Sequence, residues 1–146
     1  MEQALELAAK AEQKGEVPVG ALVLDTKGNV LGGGANRCIT ENDPTAHAEI
    51  LALRQAAQKC QNYRLPETIL VCTLEPCLMC LGALICARVA GLIFAATDTK
   101  AGAVVSKMDG ASLPWPNHHF WFSQGLLADA SSNMLKTFFK YRRKER

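Results

Sequence analysis

The sequence predicts a three-layer α/β/α domain on a mixed sheet of about five strands. Three observations carry that expectation. Short apolar, β-branched runs alternate with segments of helical period through the middle of the chain, the pattern of βαβ units whose sheet is covered on both faces. The first two such runs are separated only by a turn, so they pair as an antiparallel hairpin. A length of 146 residues, 49% hydrophobic and 21% charged, suits one domain over residues 1–146 that can close a core and is too apolar to stay disordered.

Each element has a local reason. Residues 2–14 fit an amphipathic helix with Ala4, Ala8 and Ala11 on one face, ended by Gly15. "VPVGALVLD" (17–25) is a strand, "TKGN" a turn and "VLGGGANR" the returning strand. Gly32, Gly33 and Gly34 suggest backbone running close to a neighbour. No GK[ST] follows them, so they are not a phosphate-binding loop. "NDPTAHAEILALRQAA" (42–57) reads as a helix from Thr45, with Asp43 as N-cap and Pro44 in the first helical position. "TILVCTL" (68–74) is a buried strand, "EPCLMCLGALICARV" a helix from Pro76 or Cys77 to about Arg88, and "GLIFAAT" (91–97) a further strand. Residues 98–117 read as irregular, "HHFWF" as a last strand and 124–143 as a C-terminal helix.

Bulk chemistry narrows the class. No apolar run approaches the ~18 residues of a membrane-spanning helix, and the charged first residues lack a signal-peptide core. A cytoplasmic, reducing environment is therefore expected, in which the six cysteines are not disulfide staples. The net charge of +2 is ordinary, but the last eleven residues, "KTFFKYRRKER", hold Lys136, Lys140, Arg142, Arg143, Lys144 and Arg146 against Glu145 alone. Such a run either complements a helix C-terminus or contacts nucleic acid; the interleaved Phe139 and Tyr141 favour the second somewhat.

The chemistry-bearing residues gather at two helix starts. His47 and Glu49 stand two positions apart, which in a long helix points them to nearly opposite sides. Both serve one site only if it lies beyond the helix's N-terminal end. Cys77 and Cys80 share one face at the start of another helix, where free N–H groups favour thiolate. A lone C-x-x-C also serves redox enzymes and structural zinc clusters. Structural zinc needs four ligands, however, and Cys38, Cys60, Cys72 and Cys86 form no second pair. His47, Cys77 and Cys80 make three ligands, which leaves the fourth tetrahedral position to water, the catalytic arrangement. Two thiolates balance one Zn²⁺ per chain, and the metal lowers the pKa of its water toward neutrality. Glu49 is not needed by the metal and can carry the proton.

This H-x-E…P-C-x-x-C pattern resembles the zinc-dependent nucleobase deaminases. "EVPVGALV", "NDPTAHAEILALRQAA", "QNYRL", "TLEPCLMCLGAL", "DTKAGA" and "FFKYRR" are similar, in order and spacing from residue 16 to 143, to the bacterial tRNA-specific adenosine deaminases. The resemblance implies a cytidine deaminase-like fold and a homodimer. It implies hydrolysis of adenosine to inosine at the wobble position of a tRNA anticodon stem-loop, that of arginine tRNA. It places zinc on His47, Cys77 and Cys80, and the proton on Glu49. Asn36 corresponds to an asparagine that contacts the flipped purine, and Asp98 lies in the loop that meets the anticodon backbone. Asn117 and His118 correspond to a pair lining the RNA groove. Phe139, Arg142 and Arg143 correspond to the part touching flanking nucleotides. Ala35 stands where relatives often carry a bulky aromatic, Ala95 replaces a usual glycine, and "LPWPNHHFWF" is an unusual lead into the last strand. Two rivals are a deaminase of this fold acting on a free base or nucleotide, and a non-catalytic zinc-stabilised RNA-binding module. Glu49 separates the second rival, because a structural site has no use for it.

Overall fold

The order of elements in the computed structural model, which describes residues 1–144, is α1 (Glu2–Gln13), β1 (Gly20–Leu24), β2 (Val30–Ala35), α2 (Ala48–Cys60), β3 (Ile69–Leu74), α3 (Leu78–Ala87), β4 (Gly91–Ala96), β5 (Trp121–Gln124) and α4 (Ala128–Lys144). Glu145 and Arg146 of the basic tail lie outside the described residues. The five strands form one sheet in the order β2-β1-β3-β4-β5. β1 runs antiparallel to both β2 and β3, while β3, β4 and β5 are parallel. Helices α1 and α4 touch each other and cover one face, and α2 and α3 cover the other. Val23, Leu70, Cys72, Leu81, Leu84, Leu92 and Phe94 fill the core.

The glycine run explains the fit of α2. Gly32 and Gly34 lie under that helix, where a Cβ would run into the backbone of Ala48, Ala52 and Ala56. Gly33 points to the other face, toward Leu7 of α1. Helix and strand thus pack backbone to backbone, and the alanines of α2 are the complementary choice.

Several boundaries differ from the sequence reading, β1 starting at Gly20 rather than Val17 among them, and three have a clear local reason. Helix α2 begins at Ala48 rather than Thr45, because Asp43 does not cap it. The Asp43 carboxylate accepts from the Thr45 N–H at 2.8 Å and the Thr45 hydroxyl at 2.7 Å, closing a turn within the loop. The last strand starts at Trp121, opposite Gly91, since His118 is held by the Val89 carbonyl at 2.6 Å and precedes the ladder. Helix α4 starts at Ala128 because Gly125 and Leu127 take left-handed conformations, φ 101° and 57°. The parallel connection from β4 to β5 is made by an irregular segment with one 3₁₀ turn, Gly110–Ser112, as the Gly, Pro and Ser content of 98–117 suggested.

Candidate metal centre

The C-terminal ends of β2, β3 and β4 lie at one edge of the sheet, and the N-termini of α2 and α3 start from that edge. Sites in α/β sheets sit outside the carboxyl ends of the strands. His47 is the N-cap of α2 (φ −74°, ψ 150°) and Cys77 the N-cap of α3 (φ −74°, ψ 175°). Neither uses its side chain as a cap. For α2 that task passes to Asn36, just beyond β2, whose Oδ1 accepts the Ala48 N–H at 2.8 Å. The His47 ring is therefore free to face away from its helix, and Glu49 looks out of the first turn beside it. The spacing puzzle of the sequence is resolved in this way: His47 is not inside the helix at all.

His47 Nδ1 lies 3.6 Å from Cys77 Sγ and 3.6 Å from Cys80 Sγ, and the three ligand atoms are all within 4.8 Å of one another. A tetrahedral ion with bonds of ~2.3 Å to sulfur and ~2.0 Å to nitrogen sets S···N at about 3.5 Å. The donor set and its spacing thus fit a single zinc-sized ion. Among the described residues, these three are the group found with metal-ligand spacing.

Electrostatics divide the residues further. The Cys77 thiol is pulled down to about 4, first by hydrogen bonding with Cys80 and then, against the cost of burial, by His47. Cys80 moves the opposite way, raised by the same Cys77 contact and by burial. His47 is raised by its hydrogen bond with Cys77. Glu49, only 4% exposed, has its carboxyl pushed up by burial, so it leans toward holding a proton. The other cysteines are unpaired: Cys72 is buried beneath Glu49, Cys38 lies in the 36–46 loop, and Cys60 and Cys86 are exposed.

The remaining residues singled out by the sequence do not all converge here. Asp98 does: it follows β4 at the same edge, and its carboxylate accepts from the Lys100 N–H at 2.9 Å and the Ala101 N–H at 3.2 Å. Asn117 and His118 do not. The Arg88 guanidinium donates to the Asn117 carbonyl at 2.8 Å and to its side-chain Oδ1 at 2.9 Å, and His118 bonds Val89. Arg88 and Val89 follow the C-terminal end of α3, and ten helical residues put about 15 Å between that end and Cys77. Within one chain the pair is therefore remote from His47. Arg142 is exposed and lies along the surface, donating to the Gly15 carbonyl at 2.7 Å with its guanidinium 5.4 Å over the Phe138 ring. Phe139 and Arg143 are exposed on α4.

Two buried glutamates escaped the sequence reading. Glu16 accepts from the Ile39 and Thr40 N–H groups and the Thr40 hydroxyl, tying down the loop that leads to His47. Glu75, 2% exposed, does the same for the segment after β4. Burial raises each carboxyl, but these hydrogen bonds outweigh it and hold both below the usual range. A carboxylate directly after the apolar run "ILVCTL" was the available signal, since a charge there needs several donors.

Comparison with known proteins agrees with this geometry. Residues 1–96 match the family model described as the cytidine and deoxycytidylate deaminase zinc-binding region. A tRNA-specific adenosine deaminase from Haemophilus influenzae is 48% identical over 146 residues, covering 100% of this chain and 84% of that protein. One of the same description from Bacillus subtilis is 38% identical over 146 residues, with 100% and 90% covered. A solved structure from a study of A-to-I editing by tRNA:A34 deaminases at the wobble position superposes with a TM-score of 0.89 at 40% identity, over 92% of this chain and 97% of that one. A guanine deaminase from Nitrosomonas europaea superposes with a TM-score of 0.79 at 29% identity, over 94% and 81%.

Proposed function

This chain belongs to the zinc-binding cytidine and deoxycytidylate deaminase family, and we propose that it converts adenosine to inosine by hydrolysis at the wobble position of a tRNA anticodon. The observation that carries this is Glu49: a buried carboxyl, two residues from a three-ligand metal site, that the metal does not need. His47, Cys77 and Cys80 would hold one zinc per chain. When bound, zinc supplies Lewis-acid activation of a water as nucleophile at neutral pH. Glu49 takes a proton from the attacking water and delivers it to the adenine ring nitrogen as C6 becomes tetrahedral. It then takes the remaining hydroxyl proton from C6 and passes it to the amino group, which leaves as ammonia as the C6 carbonyl of inosine forms. Asn36 orients: its Oδ1 is committed to α2, so its amide NH₂ is the group that can face the purine. The base must be splayed out, since C6 is out of reach in a stack.

RNA is favoured over a free base by the relatives' shared description and by the exposed cations and aromatics of α4. Incubating the protein with an arginine tRNA anticodon stem-loop, with free nucleosides and with guanine decides it. Inosine in the stem-loop is the expected product; deamination of guanine alone would move the chain beside the Nitrosomonas enzyme. A tRNA substrate is in keeping with a cytoplasmic location. Separately, no helix among the described residues is long and apolar enough to cross a membrane.

Phe139, Arg143 and the neighbouring Lys140 would meet nucleotides flanking the target, with the Asp98 turn on the backbone. Stem-loop affinity is therefore expected to fall steeply with salt. Deleting residues 140–146 should reduce the log–log slope by ~0.7 for each phosphate that is no longer neutralised. An unchanged slope would make the tail only a solvated helix end.

The partner is a second copy. Helix α3 buries Cys80, Leu81, Leu84 and Ala87, yet its other side is also apolar: Leu78 is 64% exposed, with Gly82 and Cys86 open and Met79 and Ile85 partly so. Such a helix wants cover on both sides. A twofold that lays two α3 helices antiparallel would also carry Asn117 and His118 of one copy toward the Cys77 end of the other. Light scattering at micromolar concentration is expected to give the dimer mass, and Leu78→Glu the monomer mass; a monomeric parent would overturn this.

A further inference from the structure

Glu75 is a buried acid that the chemistry above does not use, and its surroundings are unusually specific. Its Oε1 accepts from the N–H groups of Val104 (3.1 Å), Val105 (2.7 Å) and Ser106 (2.9 Å). Its Oε2 accepts from the Asp98 N–H at 2.9 Å and from the Ser106 hydroxyl. Five donors thus converge on one carboxylate from a single irregular segment. The segment is stitched to the residues that follow Glu75 as well: the Ala103 N–H bonds the Pro76 carbonyl at 2.9 Å, and Gly102 pairs with Cys77. Gly102 wraps over the carboxylate so closely that a Cβ there would overlap it. The outcome is a fixed turn in which the Asp98 carbonyl accepts from Gly102 at 2.9 Å and Thr99 and Lys100 are presented to solvent beside the metal edge.

We propose that Glu75 is a positioning residue for substrate: through segment 98–106 it sets the Asp98–Lys100 turn, and so governs how the RNA loop is gripped rather than how fast the base is hydrolysed. This rests on the reading of that turn as an RNA contact. Irregular backbone carries many N–H groups that must find acceptors, and one carboxylate supplies them at a cost that only a fully satisfied charge avoids. The segment has no helix or ladder of its own. The Asp98 carboxylate closes the turn onto Lys100 and Ala101, and Glu75 fixes where that turn sits.

The test uses Glu75→Gln, Lys100→Ala and the two together in the full chain. Glutamine keeps one oxygen for Val104, Val105 and Ser106 but offers an NH₂ to the Asp98 N–H, so it frees the turn without changing volume. Expected for Glu75→Gln is one zinc per chain, a kcat within about threefold of the parent and a KM for the stem-loop raised about tenfold, the scale of one charge-assisted hydrogen bond. Lys100→Ala should raise KM less, and the double variant should be no worse than Glu75→Gln, because a lysine already displaced no longer grips the RNA. Independent multiplication of the two effects, or a fall in kcat at constant KM, overturns the proposal. Should Glu75→Gln fail to fold, Ser106→Ala removes one of the five donors and must shift KM in the same direction; an unchanged KM overturns it. Amide exchange at Asp98 is expected to accelerate in Glu75→Gln, since that N–H loses its acceptor, and unaltered exchange there overturns the proposal whether or not the parent makes inosine. A parent that makes none sinks the proposed function alone.

Discussion

Glu49→Gln is expected to give a protein that folds, keeps its zinc and binds the stem-loop about as tightly as the parent, yet turns over at least ~10²-fold more slowly. The substitution is nearly isosteric at a buried position, removes no metal ligand and leaves the α2 start intact, so stability has little reason to change. What disappears is the group at the metal edge placed to accept a proton and give it back. Burial already pushes this carboxyl up, toward the pKa at which it can do both near neutrality. The loss should exceed that floor, because the same group acts in attack and in departure of ammonia. Metal analysis beside single-turnover inosine formation reads the result. Loss of zinc in step with activity would make Glu49 a ligand or a structural residue, and full activity would return it to the helix surface.

The sequence showed the metal site more readily than it showed what holds the site together. Ligand chemistry is local: a histidine two residues before a glutamate, and two cysteines three apart, already limit the arrangements that can bind an ion. The glycines at 32–34 were legible for a similar reason, since a run without side chains implies close packing, and α2 lies on it. Capping was less legible. Asp43 is the better N-cap by type, but its oxygen is used by Thr45, and the work is done by Asn36 from 12 residues away. A competition between two polar residues is settled by tertiary placement, which propensity does not contain. Glu75 shows the same limit: its five donors lie 23 to 31 residues further along the chain. Asn117 and His118 show a different one. Resemblance assigned them to the RNA groove, but the parallel register of β4 and β5 puts them at the far end of α3. A role inherited from relatives carries no statement of which copy of the chain supplies it. Arg142 shows a neighbour that charge does not reveal, since its guanidinium also bonds the Gly15 carbonyl and lies over Phe138.

Zinc affinity should fall as pH falls, and replacing either cysteine should weaken binding far more than ~10²-fold, beyond what loss of an outer-shell partner costs. The sign follows from the thiols. In the metal-free protein at neutral pH, Cys77 is held as thiolate, with its pKa near 4, whereas Cys80 is raised and keeps its proton. Zinc takes both as thiolates, so its uptake must expel the Cys80 proton. His47, whose pKa is raised by Cys77, must also be neutral to bind, and adds a second proton as pH drops. Log affinity is therefore expected to rise with pH at a slope of about one near neutrality and steeper in mild acid. Competition against a chromophoric chelator across that range measures it. Cys77→Ser and Cys80→Ser should both come out of purification without metal, even though serine is nearly the same size, because an alkoxide is not available at neutral pH. The Cys80→Ser protein should keep its fold, since the core around Leu81 and Leu84 does not depend on the sulfur. Flat affinity across pH, or full zinc occupancy in either serine variant, would mean that the sulfurs do not hold the ion, and the three-ligand site would have to be abandoned.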